Sequence, residues 1–593
     1  MEEQFSRVLL RTVWVGCLLG FLATGYFLFG LAGYVHNQWL NLSSVAVLLF
    51  SVLFFLVHFI AIPRLTNWLG RVIWTAILAF FITEVVLGLL PPVSRDELTH
   101  HLAIPKLYAK AGQILEVPIA PYAYYPMLLD MLYTPWVHWG YDFVPKLIHA
   151  LYAYLTGLLL YAYLGRRMNS LYGLLGFFLF ISMPVVARLS HWAYIDLGIT
   201  FYTSAALLCL LRWREDREAF GWLSLGALSL GFALATKPNG LVAGLVISFL
   251  ILLTVVKPPR QSPKWIGREL LQFGGLTLLP FLPWLIKNWF QTGNPFYPLL
   301  GAWFAPHTMA ASPAASFGGF GLFEKRELLY GENTWQILML PLRIFVSGRD
   351  DNPQLFDGVL TPILVVFLPW AFKGKWLEEK KFVAGFAALF FLYALFLVEI
   401  RIRYILMIVP PLIVLSVYGV FNVYLRIKRP AYVAGVLLVF IAWHGSYLWR
   451  YVSDLAPLAY LRGSESRDAY LARMLPEYTA LQFINRHTEP SAKIYLLFIG
   501  RRAYYCERNY FHDGGELPGF LLATIRAAKS PEQIAQSLKQ MHISHLMLRE
   551  YLLAAFLSNN LTADQAKLWN EFAATRLTPV FRERGHSVYQ LNG

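Results

Sequence analysis

GRVIWTAILAFFITEVVLGLLPPVSRDELTHH, residues 70–101, decides the architecture. The part before Pro91 holds only Arg71 and Glu84 as charges and is long enough to cross a hydrocarbon layer, which takes about 20 apolar residues. Pro91-Pro92 ends that run. Two adjacent carboxylates, Asp96 and Glu97, and two adjacent imidazoles, His100 and His101, follow within a few residues. A spanning helix therefore delivers a polar, titratable turn to a membrane surface.

The rest of the chain repeats the first half of that pattern. Of 593 residues 57% are hydrophobic and 14% charged, against about 25% charged in a soluble protein; a soluble surface of that size cannot be covered. Thirteen apolar runs are candidate spans: 9–31, 43–62, 70–90, 144–164, 171–187, 191–211, 220–236, 239–256, 270–289, 356–372, 382–398, 403–424 and 431–449. The fold class read from them is an all-α polytopic membrane protein. The first run lacks a small-x-small cleavage site and reads as a retained anchor.

The net charge of +15 would suit nucleic acid, but its placement argues against that partner. Lys and Arg gather in alternate short loops: Arg7/Arg11, Arg64/Arg71, Arg166/Arg167, Arg212/Arg214/Arg217, the segment KPPRQSPKWIGR (257–268), KGKWLEEKK (373–381), and Arg426/Lys428/Arg429. Under the positive-inside rule the N-terminus is cytoplasmic. An odd number of spans then puts the C-terminal part outside. Cys17, Cys209 and Cys506 have neither CxxC nor metal-ligand spacing, so no disulfide framework or thiolate zinc site is supported.

Domain boundaries follow from hydropathy. Residues 1–450 form the membrane domain, with long outer loops at 91–143 and 290–355; residues 451–593 form an extracytoplasmic domain. The first loop has two amphipathic stretches, 99–112 and 126–140, that read as interfacial helices. The second, with GNPFYP and SPAASFGGFG, is rich in Gly, Pro and Ser and reads as partly mobile. In the tail, helices at 475–487, 530–541 and 563–574 alternate with strands at 493–499, 545–548 and 587–591, which predicts a small α/β domain. No GxGxxG or GxxxxGK[ST] is present to bind a nucleotide, and no GxSxG, HExxH or kinase motif set.

Four clusters could carry chemistry. At SRDELTHH (94–101), desolvation at the membrane surface can raise a carboxylate toward a useful base; Asp96 with His100 would also suit a divalent cation, and Ser94 or Asp96 would equally serve as a helix cap. In ARLSHWAYIDLGITFY (187–202), Arg188, His191 and Tyr194 accompany Asp196, an intramembrane carboxylate and so a functional candidate, or structural glue paired with Arg188 or another span. In ATKPNG (235–240), Lys237 is a lone outer cation suited to phosphate, or a snorkelling lysine. At 399–404, EIRIRY, Arg401 and Arg403 could clamp phosphate oxygens or anchor the helix at the interface. Glu84 reads as structurally paired, and His149, His307, His444 and His512 as isolated.

From about residue 70 to 450 the pattern resembles the GT-C superfamily of membrane glycosyltransferases, in particular the protein O-mannosyltransferase and aminoarabinose-transferase types. Asp96 matches the acidic residue that opens their first outer loop. Tyr194, Asp196, Thr200 and Phe201 match a Y-x-x-D-x-x-x-T-F-like span, and LATKPNGLV matches a segment with Lys237 at the basic position. RYILMIVPPL approximates an R-Y-x-L-P segment, with Met407 where that pattern has proline; KNWFQTGNPFYP is similar to an element of the bacterial members. Three spans, where many relatives have one, precede the acidic loop.

The resemblance implies an inverting glycosyltransferase of the inner membrane. It would move a sugar from a polyprenyl-phosphate donor to a hydroxyl of a glycan, lipid or protein at the outer, periplasmic face. Asp96, with Glu97, would be catalytic. Lys237, Arg401, Arg403 and Tyr404 would hold the donor phosphate. His100, His101, Arg188, His191, Tyr194 and Asp196 would contact substrate. No cofactor is required by this scheme, and a divalent metal on Asp96 and His100 is compatible with it. Partners are the lipid-linked donor, the acceptor and membrane lipids. The alternatives are en bloc transfer of a preassembled glycan, as in an oligosaccharyltransferase or O-antigen ligase, and a non-catalytic lipid-linked sugar transporter or scaffold. A transporter should carry ionisable groups through its midplane and internal repeats; here charges cluster on the outer side and no repeat is evident.

Overall fold

Helices dominate the computed structural model, which describes residues 2–62, 68–216, 220–256, 262–304, 322–395, 400–427, 430–513 and 518–592. Two compact units emerge. One comprises Met1–Leu89, Gly112–Ile114 and Tyr124–Pro457; the other comprises Leu90–Ala111, Leu115–Ala123 and Leu458–Gly593. The turn carrying Asp96 thus belongs to the same unit as the C-terminal residues.

Among the described residues of the first unit, six helices are long and apolar enough to cross a membrane: Glu2–Leu31, Gln38–Ala61, Trp68–Gly88, Val144–Arg167, Pro263–Thr292 and Ile402–Ile427. Shorter apolar helices, Ser170–Ile181, Phe220–Thr236 and Asn239–Val256, accompany them. The chain is a multi-pass membrane protein. Val144–Arg167 is buried on every side from Pro145 to Gly165 except at Leu147, as expected of a helix apolar all round. Gln38–Ala61 instead turns Trp39, Leu49, Leu53, Val57 and Ile60 outward, an apolar face suited to lipid. Asn37 starts that helix, its side chain accepting from the Leu40 N–H at 3.1 Å. Glu84, wholly buried, accepts a hydrogen bond from the Tyr154 hydroxyl at 2.7 Å. This is the structural pairing expected of it, through a partner 70 residues away.

Several expected spans are broken. Residues 171–187 divide into Ser170–Ile181 and Pro184–Leu189 around Ser182-Met183, because Pro184 supplies no N–H to continue the first helix. The run 191–211 becomes helical only at Asp196. Within 356–372 there are two single turns, Ile363–Val366 and Leu368–Ala371. The expected interfacial helices appear as a π-helical turn, Glu97–His101, followed by Ala103–Ala111, and as Leu128–His138. The SPAASFGGFG segment, Arg64, Arg217, Lys257, Arg260, His307, Lys428 and Arg429 lie outside the described residues. At the end predicted to face inward, Arg166 and Arg167 bridge Glu215, and Arg167 also reaches Glu379 at 2.5 Å.

The second unit contains one sheet. Its strands are β1 (Lys493–Leu497), β2 (Asn509–Phe511), β3 (His545–Arg549), β4 (Leu577–Glu583) and β5 (His586–Leu591), in the order β2-β1-β3-β5-β4. β2, β1 and β3 are parallel; β5 runs antiparallel to β3, and β4 to β5. The alternation along β1 and β3 separates two cores. Tyr495, Leu497, Leu546 and Leu548 pack on one face with Leu521, Ile534 and Phe572; Ile494, Leu496 and Met547 pack on the other with Leu481 and Ile484. The sequence does not announce β2 and β4: β2 is only three residues long, and β4 contains Pro579.

Candidate active site

Three remote segments of the first unit meet around Asp196. Asp196 lies in the first turn of the Asp196–Glu215 helix, where the exposed N–H groups favour an anion. Its side chain is 1% exposed, and its Oδ1 is 2.6 Å from the Lys237 Nζ; Lys237 itself is 18% exposed. The buried Oδ2 receives no hydrogen bond from any described residue. The Lys237 ammonium stands 5.1 Å from the Tyr404 ring centre. The Arg403 guanidinium stands 5.3 Å from the rings of both Tyr194 and Tyr404.

Backbone devices hold this group in place. Lys237 sits between the Phe220–Thr236 and Asn239–Val256 helices, where the chain turns through Lys237-Pro238. A Cβ on Gly240 would come within 2.4 Å of the Ala233 carbonyl oxygen, so that turn closes only with glycine. Asn239 donates from Nδ2 to the Tyr404 carbonyl at 3.1 Å, fastening this turn to the basic segment. The Tyr133 hydroxyl donates to the Tyr194 carbonyl at 2.5 Å. His149 does most of the bracing. Its Nδ1 lies 3.0 and 2.8 Å from the carbonyls of Leu189 and Trp192, and its Nε2 accepts from the Leu197 N–H at 2.9 Å. That pattern requires a neutral ring protonated on Nδ1. An isolated histidine in sequence is thus a positioning residue in space, with nothing local to signal it.

Arg188, Arg401 and His191 belong to a neighbouring arrangement. Arg188, 7% exposed, bridges Asp350 at 2.8 Å, Asp351 at 2.5 Å and Asp357 at 3.4 Å, and lies 4.5 Å from the Trp192 ring. Arg401 reaches the other oxygen of Asp357 at 3.4 Å. The Tyr447 hydroxyl donates to Asp350 at 2.6 Å. His191 is buried, with its Nδ1 3.1 Å from the Ala187 carbonyl. The structure therefore divides the two arginines that sequence spacing pairs: Arg403 joins Lys237, and Arg401 joins the aspartates. Asp350, Asp351 and Asp357 were missed. Their run RDDNPQLFDG is visible at 349–358, but it lies in a loop read by composition alone.

In the second unit, Glu97 is fully buried, and its Oε2 accepts from the N–H groups of Val93 at 3.1 Å and Ser94 at 2.8 Å. It closes the turn that follows Pro92. Asp96 is half-buried at the head of the π-helical turn, and its carboxylate does not cap that turn. Such turns recur at functional sites. His100 stacks on Tyr122 with ring centres 4.4 Å apart and shares Nδ1 with the Thr99 hydroxyl at 2.8 Å; His101 is buried beside it. The turn is tied to the tail: Tyr505 donates to the Pro92 carbonyl at 2.7 Å, and the Tyr504 N–H to the Leu98 carbonyl at 3.2 Å. Lys106 bonds the Tyr504 carbonyl and Glu507 at 2.7 and 2.6 Å. Burial would raise the Glu507 carboxyl, but Lys106 and Lys110 hold it below the usual carboxylate range. Among the described residues no three His, Cys, Asp or Glu side chains converge to hold a metal ion.

Comparison with known proteins agrees with this architecture. The family model for dolichyl-phosphate-mannose-protein mannosyltransferase matches residues 99–293. Among solved structures, the chain is similar to ArnT from Cupriavidus metallidurans in the apo state, at 15% identity and a TM-score of 0.53, covering 88% of this chain and 97% of that one. A second ArnT structure, bound to undecaprenyl phosphate, matches at 14% identity and a TM-score of 0.46 over 88% and 98%. The archaeal oligosaccharyltransferase AglB from Archaeoglobus fulgidus matches at 12% identity and 0.44 over 82% and 70%. No curated protein matches the sequence.

Proposed function

We propose that this chain, which has the GT-C fold of membrane glycosyltransferases, transfers a sugar from a polyprenyl-phosphate donor to an acceptor hydroxyl at the outer face, with inversion. The observation that carries the reading is the meeting of Lys237, Arg403, Tyr194 and Tyr404 around a single buried carboxylate. Lys237 and Arg403 are cations suited to the monoanionic phosphodiester of a polyprenyl-phosphate sugar. The aromatic rings provide faces against which a sugar or prenyl carbon can pack.

The acceptor oxygen forms a bond to the anomeric carbon as the bond from that carbon to the phosphate oxygen breaks. The acceptor proton passes to Asp96, and the electron pair leaves on the polyprenyl phosphate. Charge on the phosphate therefore grows during the step. Lys237 and Arg403, fixed beforehand, stabilise it where it grows. Asp196 holds the Lys237 ammonium in place. Glu97, with its carboxylate committed to two backbone N–H groups, shapes the turn that presents Asp96. Arg188 and Arg401 order the 349–358 loop through its aspartates.

The test is a transfer assay on purified protein in lipid, offering radiolabelled polyprenyl-phosphate monosaccharides and an oligosaccharide-bearing lipid, with and without chelator. Turnover of a monosaccharide donor that disappears in Asp96→Asn and falls in Lys237→Gln and Arg403→Gln is expected. Turnover of the oligosaccharide donor alone would replace this reading with en bloc transfer. Full activity in Asp96→Asn would remove the assigned base.

A further inference from the structure

The second unit contains a cavity of about 370 Å³ at one end of its sheet. Four arginines line it: Arg95, Arg501, Arg502 and Arg549, together with His512 and His586. Its position follows from topology. From β1 the chain leaves toward β2 on one side, and from β3 it leaves toward β5 on the other, so the connections after these adjacent parallel strands part in opposite directions. In open α/β sheets that crevice is where ligands bind. Here Phe498–Arg502 follows β1, His512 follows β2, Arg549 ends β3, and His586 opens the antiparallel β5 at the same end.

The chemistry of the lining is one-sided. The carboxylate in it, Asp513, has both oxygens committed: the Tyr495 hydroxyl donates to Oδ2 at 2.6 Å and the Phe520 N–H to Oδ1 at 2.7 Å. Arg502 is further held by Glu477, 2.9 Å from its Nε. Among the described residues, the lining thus carries four arginines and one aspartate. The loop after β1 adopts positive φ at Phe498 (58°), Gly500 (67°) and Arg501 (59°). Two of these are side-chain-bearing residues in a sparsely populated region, a cost that persists where the surroundings demand a particular backbone. Phe498 and Leu552 add an apolar wall.

We propose that this cavity is a second binding site, separate from the Lys237–Arg403 cluster, for a phosphoryl group carried on a sugar-sized body. Guanidiniums bind phosphate oxygens through paired N–H donors, and the volume lies in the range of small-molecule pockets. The phosphate can belong to a soluble or glycan-borne sugar phosphate or to a lipid headgroup. Arg95 stands next to Asp96 in sequence, so an occupied cavity would bear on the turn that carries the proposed base.

The experiment is calorimetric titration of full-length protein in phosphatidylcholine nanodiscs, in a Lys237→Gln background that disables the other phosphate candidate. Glucose 1-phosphate, inorganic phosphate and glucose are the probes. Saturable binding of glucose 1-phosphate, absent for glucose and weakened tenfold or more by Arg501→Gln or Arg549→Gln, is expected, with the exposed Lys539→Gln as an inert control. Thermal melting of each variant separates lost binding from lost folding. Absence of saturable binding, or binding indifferent to both arginine substitutions in folded protein, overturns the proposal. Nanodiscs containing phosphatidic acid distinguish the sources: competition with glucose 1-phosphate assigns a lipid headgroup, and undiminished binding assigns a sugar phosphate.

Discussion

Replacing Lys237 by methionine leaves the Asp196 carboxylate, 1% exposed, without its ammonium partner. Removing one member of a fully buried pair costs about 3–5 kcal/mol; since Lys237 is 18% exposed and water can reach its side of the pair, about 3 kcal/mol is expected. The double variant Asp196→Asn/Lys237→Met removes the stranded charge with it and should return to within ~1 kcal/mol of the parent. Activity should behave differently. Loss of a preorganised group at a developing charge lowers turnover by about 10²–10³, and neutralising Asp196 does nothing to restore it. The assay pairs thermal melting in detergent with single-turnover transfer in nanodiscs for the four corners of the cycle. Recovery of both stability and turnover in the double variant would refute the reasoning. Lys237 would then serve only to neutralise Asp196, and the donor phosphate would lie elsewhere.

Asp96→Asn should abolish turnover, whereas Glu97→Gln should cost about 1–3 kcal/mol by weakening two acceptor contacts, seen as a lower melting temperature with residual activity. Gly240→Ala should lower transfer and melting together, since the added carbon sits 2.4 Å from the Ala233 oxygen and must displace the turn that carries Lys237. The Glu507 carboxyl is held low by Lys106 and Lys110 against the opposing effect of burial, so its stabilisation is present above the unfolded value near about 4.3 and is lost as pH falls through the lower folded value. Being half exposed, it contributes little; the melting difference between the parent and Glu507→Gln should be small at neutral pH and vanish in acid.

Hydropathy made the membrane class legible because burial in lipid is a composition problem: Val144–Arg167 and Gln38–Ala61 announce themselves by length alone. It could not locate the breaks. The run 191–211 looks continuous because no proline or glycine interrupts 191–195, yet His149 takes up the carbonyls of Leu189 and Trp192 and so lets the chain run unwound until Asp196. The tail was legible in its long helices and in β1, β3 and β5, which alternate cleanly, and illegible in β2, which three residues define only by pairing with β1.

The site was legible as residue types and only half legible as partnerships. Lys237, Arg403, Tyr404, Tyr194 and Asp196 were each visible as polar or aromatic groups at the outer ends of apolar runs, where desolvation makes such residues costly unless used. Which cation meets which anion depends on tertiary packing, and there local spacing misleads. Arg401 and Arg403 are two residues apart, and in an extended or tightly turned segment such residues diverge. One goes to Asp357 and the other to the tyrosines. The expected structural partner of Asp196, Arg188 or another span, is Lys237 from the turn after Thr236, while Arg188 is claimed by three aspartates from 349–358. A cation without a local partner in sequence is therefore placed by remote packing: Lys237 meets a carboxylate 41 residues away, and Arg403 meets the ring of Tyr194.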